Sequence, residues 1–147
     1  FESELRFSFP KSRITGSLSA SFSNAKPSDR HNSLPLVTPF ISKLSLSKQL
    51  DKDLDLAVEI SHHGRRKMSS SELGKLRRYT LINLNLSKPI FDNNTRLSLK
   101  VKNLLNKTFY TPTFAPDLAS FNLNSIHPVH KLPGEKRQLT IGLVYHF

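Results

Sequence analysis

The sequence predicts an all-β chain: an antiparallel, up-and-down sheet of about seven strands. Three observations carry that expectation. Apolar and polar residues alternate with period two along run after run, the signature of strands with one face in an apolar medium. Short turns and long connections follow one another in strict alternation along the chain. The run Gln138 to Phe147 (QLTIGLVYHF) sets Leu139, Ile141, Leu143, Tyr145 and Phe147 on one parity and Gln138, Thr140, Gly142, Val144 and His146 on the other. A tilted strand of about ten residues is long enough to cross a bilayer.

The first strand spans Phe1 to Phe9, with Phe1, Leu5, Phe7 and Phe9 opposed to Glu2, Glu4, Arg6 and Ser8. Pro10-Lys11-Ser12 turns the chain into Arg13 to Ser23, where Ile14, Gly16, Leu18, Ala20 and Phe22 alternate with Thr15, Ser17, Ser19 and Ser21. Two such runs around a short turn make a hairpin. Asn24 to Pro39, with Pro27, Pro35 and Pro39, has no period and is a long loop. The third strand runs from about Phe40 to Leu50, carrying Leu44, Leu46 and Leu50 against Lys43, Ser45 and Ser47. After Asp51-Lys52-Asp53, the fourth, Leu54 to about His63, sets Leu56, Val58 and Ile60 against Asp55, Glu59 and Ser61.

Gly64 to Leu76 reads as a second polar loop, and Arg77 to Lys88 as the fifth strand, with Ile82, Leu84 and Leu86 against Asn83, Asn85 and Ser87. Pro89 to Asn94 is the expected turn, and the sixth strand opposes Leu97, Leu99 and Val101 to Arg96, Ser98, Lys100 and Lys102. Thr111 to Lys136 is the longest loop, with four prolines, and the strand ending at Phe147 is the seventh. Tight turns thus gather at one rim and long loops at the other, as in transmembrane barrels, where one parity faces lipid and the other a polar lumen. A soluble sandwich also makes alternating strands, but has no reason to sort its loops.

Composition excludes several classes. With no cysteine among 147 residues, a disulfide scaffold or zinc–thiolate centre is ruled out. No apolar run reaches the length of a membrane helix, which leaves a barrel open because alternating strands average to a soluble-looking hydropathy. The start at Phe1 rather than Met points to a processed product, a fragment or part of a longer chain. The net charge of +11 raises nucleic-acid binding as a competitor. The basic residues form no helical stripe or aromatic-interleaved patch, however, and read as loop and lumen charge, with no nucleic-acid partner expected.

Several segments resemble one known family. The end of the chain, a terminal Phe behind apolar residues at every second position, resembles the last strand of bacterial outer-membrane barrels. There Tyr145 and Phe147 would be the signal read by the barrel-assembly machinery. Val101 to Tyr110, with Asn103, Leu104, Leu105, Asn106, Lys107, Phe109 and Tyr110, resembles the v-x-N-L-F/L-N/D-K-x-Y/F-Y segment of TonB-dependent outer-membrane receptors. Pro133-Gly134-Glu135-Lys136-Arg137 stands where that family has a P-G-x-x-R turn before its last strand. Weaker likenesses are Phe1 to Leu5, Pro39 to Leu50, Gly64-Arg65-Arg66 and Arg78 to Ile82.

The resemblance implies the C-terminal portion of a barrel of about 22 strands whose plug domain lies elsewhere. Its implied work is uptake of a siderophore, another iron chelate or a similar scarce nutrient, energised by TonB through the missing N-terminal part. Outer-membrane lipid and the assembly machinery would be its other partners, and the bacterial outer membrane its location. The alternatives are a soluble basic β-domain that binds nucleic acid, and a truncated receptor remnant without transport.

Chemistry is sparse. No nucleophile motif or phosphate loop is present, Glu2 and Glu4 are expected to pair with nearby Arg6 and Lys43, and neither an enzyme nor a cofactor is expected. His127 and His130 lack the carboxylate or thiolate company of a metal site. With Tyr110 they are the candidate substrate contacts in the last loop, while His63 is expected only to hydrogen-bond across strands. Phe109, Tyr110, Phe114 and Phe121 read as an interfacial aromatic girdle. Leu84→Arg or Ile141→Arg should cost roughly 2–4 kcal/mol at a lipid-facing midplane, and Asn83→Ala little.

Overall fold

A computed structural model describes residues 1–23, 38–50, 53–67, 75–91, 94–113 and 130–145. They form one seven-stranded antiparallel sheet and two small hairpins, with no α-helix. The sheet's members are β1 (Glu2–Phe9), β2 (Ile14–Phe22), β3 (Phe40–Gln49), β4 (Asp55–His63), β7 (Tyr79–Ile90), β8 (Thr95–Lys102) and β11 (Gln138–Tyr145). They neighbour one another in chain order, so the sheet is an up-and-down meander, and it is open: β1 and β11 are its two edges.

Register joins the alternation of single strands into two continuous faces. Pairings carry one apolar row through Phe7, Gly16, Leu46, Val58, Leu84, Val101 and Leu139. The next row runs through Phe9, Ile14, Lys48, Leu56, Leu86, Leu99 and Ile141. A slip of one residue anywhere would turn a whole strand over, which is why alternation fixes register so tightly. Nothing among the described residues covers this face. Leu139, Ile141 and Leu143 are 65%, 70% and 65% exposed, and only Leu76, Tyr79 and Val101 are buried apolar residues.

The opposite face is concave and polar. A hollow of about 690 Å³ runs from Glu4 and Arg6 on β1 to Lys100 and Lys102 on β8, across Thr15, Ser17, Ser45, Ser47, Glu59, Asn83 and Asn85. Of the pairing expected for Glu2 and Glu4, that of Glu4 forms, Arg6 Nε donating to Glu4 Oε1 at 2.8 Å. Lys43 Nζ instead lies 2.6 Å from Glu59 Oε2, and Glu2 accepts from Ser21 Oγ at 3.4 Å.

Three expectations need correction. Pro89 does not begin a turn: β7 continues to Ile90, with Pro89 opposite Arg96, and the chain turns at Phe91–Asn94. β4 pairs with β7 only as far as Ser87, so at Pro89 no neighbour awaits the missing N–H on that side. The second and third long connections are not plain loops. Each begins and ends in a short hairpin, β5 (Arg66–Lys67) with β6 (Lys75–Leu76), and β9 (Tyr110–Thr113) with β10 (His130–Pro133). Strands of two to four residues leave too little alternation to read. The fifth long strand accordingly starts at Tyr79, not Arg77.

Candidate functional site

At the rim of long connections, the two motif segments are tied into one knot. Asn103 leaves β8 with φ 49° and Asn106 has φ 51°, a left-handed conformation that Asn tolerates better than most residues. Asn103 is 3% exposed and every polar group of its side chain is used. Its Oδ1 accepts from the Lys107 amide at 2.8 Å, and its Nδ2 donates to the carbonyls of Lys107 (2.9 Å) and Glu135 (3.0 Å). Asn106 Oδ1 accepts from the Arg137 amide at 3.1 Å, and Gly134 N–H donates to the Phe109 carbonyl at 2.8 Å. A Cβ on Gly134 would collide with the Phe109 ring, so this position requires glycine. The knot leads the chain out of β8, through β9 and β10, and back into β11.

The knot also reaches the concave face. Asn83 Oδ1 accepts from the Asn103 amide at 3.0 Å, and Asn83 Nδ2 donates to Glu59 Oε1 at 3.1 Å. A hydrogen-bonded line therefore runs from Lys43 through Glu59 and Asn83 to Asn103. Asn83→Ala cannot be cheap, contrary to the expectation from parity alone, because it strands a buried amide.

Beside the knot stands an aromatic stack. Tyr79 lies between His63 (centroids 4.7 Å apart) and Phe109 (4.5 Å), with the Arg66 guanidinium 5.5 Å from its centroid. Arg66, 9% exposed, donates through Nη2 to Tyr79 Oη at 3.1 Å and to the Tyr110 carbonyl at 3.3 Å, while its buried Nε finds no partner among the described residues. This strut fastens the β5–β6 hairpin to the rim. His63 stacks rather than bonding across strands. The cross-strand bond belongs to His62, whose Nδ1 lies 2.9 Å from Thr80 Oγ1. Phe109, expected among aromatic residues of an interfacial girdle, is part of this packing. On the apolar face the aromatic row is instead Phe22, Phe40 and His62, with centroid separations of 4.7 and 6.0 Å.

The candidate substrate contacts are only partly placed. Tyr110 and His130 sit on one hairpin but at opposite ends, Tyr110 opposite Pro133 and His130 opposite Thr113. Three steps separate them, about 10 Å along the strand. Lys131 Nζ lies 5.1 Å from the centroid of the Tyr110 ring. His127, Phe114, Phe121 and the terminal Phe147 fall outside the described residues, and Tyr145 sits at the end of β11 opposite Thr95. No cluster of three or more His, Asp or Glu suited to a metal occurs among the described residues. No protein-family model matches the sequence, and no curated protein matches it significantly.

The knot was partly legible. Asn103, Asn106, Phe109 and Gly134 were marked by the motif, but as a family signature rather than as mutual partners. Arg66 and Tyr79 stand in the weaker likenesses Gly64-Arg65-Arg66 and Arg78 to Ile82, which say nothing of their contact with each other, and Asn83 is one amide on a polar parity.

Proposed function

We propose that this chain is a wall segment of a TonB-dependent outer-membrane receptor, serving the uptake of an iron chelate or a similar scarce nutrient. The observation that carries the proposal is the division of the sheet into an exposed, continuous apolar face and a concave polar one. In water, seven strands' worth of exposed Leu, Ile, Val and Phe would be an aggregation surface. In a bilayer it is the lipid side of a barrel wall, and the polar hollow is the lumen side.

Dimensions support this. From Ile14 to Phe22, β2 rises about 27 Å, or about 20 Å of height at a tilt near 40°, close to the apolar band of such barrels. Lys48 and Lys88 stand on the apolar parity towards the short-turn end, where long basic side chains reach the interface. β1 and β11 run in the same direction, so antiparallel closure between them needs an odd number of further strands. The knot supports the family assignment in particular, because the two motif segments that suggested it are mutual partners.

The test is the native product's size and place. Outer-membrane fractions are probed with an antibody against the stretch Thr111 to Lys136. A heat-modifiable band several times larger than 16.7 kDa is expected. A band of 16.7 kDa in the soluble fraction would overturn the proposal and put a soluble basic β-domain in its place.

A further inference from the structure

The basic charge of this chain is not spread evenly between its two rims. The three long connections, 23–39, 64–78 and 103–137, hold twelve of the 22 Lys and Arg but only four of the 11 Asp and Glu. All three leave the sheet at the same rim. There, Arg65, Lys75, Arg77, Arg78, Lys131 and Lys136 are all exposed, against two acidic residues described at this rim, Glu135 and, at the start of β1 opposite Ser21, Glu2. The remainder of the chain holds ten basic and seven acidic residues.

We infer that this rim is a docking collar for the phosphate groups of a lipid headgroup surface. The inference rests on the membrane-wall proposal, from which it takes only the orientation of the apolar face. Two features argue for lipid over a soluble anion. The collar stands directly beyond the aromatic row Phe22, Phe40 and His62, the level at which aromatic side chains mark the boundary between acyl chains and headgroups. Arg78 precedes β7 at the position that continues the apolar parity beyond Thr80, which sets a guanidinium where the tails end.

The collar is also held in place before any ligand arrives. The Arg66 strut on Tyr79 and the Tyr110 carbonyl, with Leu76 buried beside it, fixes the hairpin that carries Arg65, Lys75 and Arg77. Exposed guanidinium groups carried on or next to a fixed hairpin suit phosphate, which they engage through paired N–H donors. Each exposed basic residue near an anionic membrane contributes about fivefold in binding, so the triple variant Arg65→Ala, Arg77→Ala, Arg78→Ala should lose about a hundredfold.

The test titrates the membrane-extracted full-length product, held in zwitterionic detergent, with diphosphoryl lipid A, its dephosphorylated form, inorganic phosphate and a short DNA. Expected are binding of the diphosphoryl lipid alone, its decline with salt, and the hundredfold loss in the triple variant. Arg66→Lys, which keeps the charge but not the guanidinium over the Tyr79 ring, should lose less. Equal binding of the dephosphorylated lipid, competition by inorganic phosphate at equal concentration, tighter binding of DNA, or an unchanged triple variant would each overturn the inference. Failure of the wall proposal is seen separately, as a product that does not insert into plain phosphatidylcholine vesicles.

Discussion

Leu84 and Asn85 are adjacent on β7 and point to opposite faces, which makes them the sharpest test of which face meets lipid. Arg is introduced at each. Leu84 lies four residues from Thr80 and four from Lys88, about 14 Å along the strand in either direction. On the proposed membrane wall, a tilt near 40° would place it about 10 Å from each edge of the apolar band, at its middle. A guanidinium on the lipid face at that depth costs about 2–4 kcal/mol, against about 0–1 near the interfaces. Asn85 is exposed on the concave face beside Lys100. Leu84→Arg should therefore lower stability by about 2–4 kcal/mol, and Asn85→Arg by less than about 1 kcal/mol, mainly by repulsion from that lysine. The assay is urea unfolding of the full-length product in phosphatidylcholine vesicles, followed by far-ultraviolet circular dichroism and by heat-modifiable gel mobility. A larger loss for Asn85→Arg would refute the assignment of faces.

The knot supplies the other predictions. Asn103→Ala removes three part-buried side-chain hydrogen bonds, to the Lys107 amide and the Lys107 and Glu135 carbonyls, and puts alanine at φ 49°, so a loss of about 2 kcal/mol is expected in the same unfolding assay. Lys107→Ala should change little, because Lys107 serves the knot through its backbone. Gly134→Ala should cost about 1–3 kcal/mol by driving a methyl into the Phe109 ring, and Phe109→Leu should recover part of that loss. An additive double variant would show that the clash is not the cause. Asn83→Ala strands the Asn103 amide and should cost about 1–3 kcal/mol, with faster hydrogen exchange at Asn103 and Leu104 as its local sign. Glu59→Gln, by contrast, should cost under about 1 kcal/mol, since Glu59 and Lys43 are both partly solvated and the Asn83 bond survives.

The long strands were legible because both determinants of a sheet are local. Alternation names the face, and turn residues such as Pro10 and Asp53 name the reversals. The stop at Pro89 was misread because local chemistry says where a proline is disfavoured, while only the neighbouring strand's length says where it is harmless. β4 ending short of Pro89 is not written near residue 89. The hairpins β5–β6 and β9–β10 were missed for a related reason. Their stability comes from Arg66, Leu76 and Tyr79 packing together across the rim, and two residues of β5 carry no period. The same limit applied to the motif. Asn103 and Asn106 stand out only as members of the motif, while their partners Glu135 and Arg137 lie about thirty residues on, and only the fold shows that one segment binds the other.

That long-range pairing explains why so exposed a sheet has such an ordered rim. On the proposed reading as a barrel wall, the sheet has no interior of its own to organise its loops, since one face would meet lipid and the other a polar lumen. Its long connections must be anchored where they leave the sheet. In this chain the anchors are hydrogen bonds and stacked rings rather than apolar burial. Asn103 holds the base of the longest connection, and Arg66 on Tyr79 holds the base of the one between β4 and β7. Asn83 joins the first of these to the Lys43–Glu59 pair inside the hollow. The members of a polar network hold one another in place, so removal of one is felt at its partners. Loss of Asn83 should thus be felt at the knot while leaving the β1–β2 hairpin untouched. Equal acceleration of hydrogen exchange in β1 and β2 would mean that Asn83 supports the whole sheet and not this line of bonds.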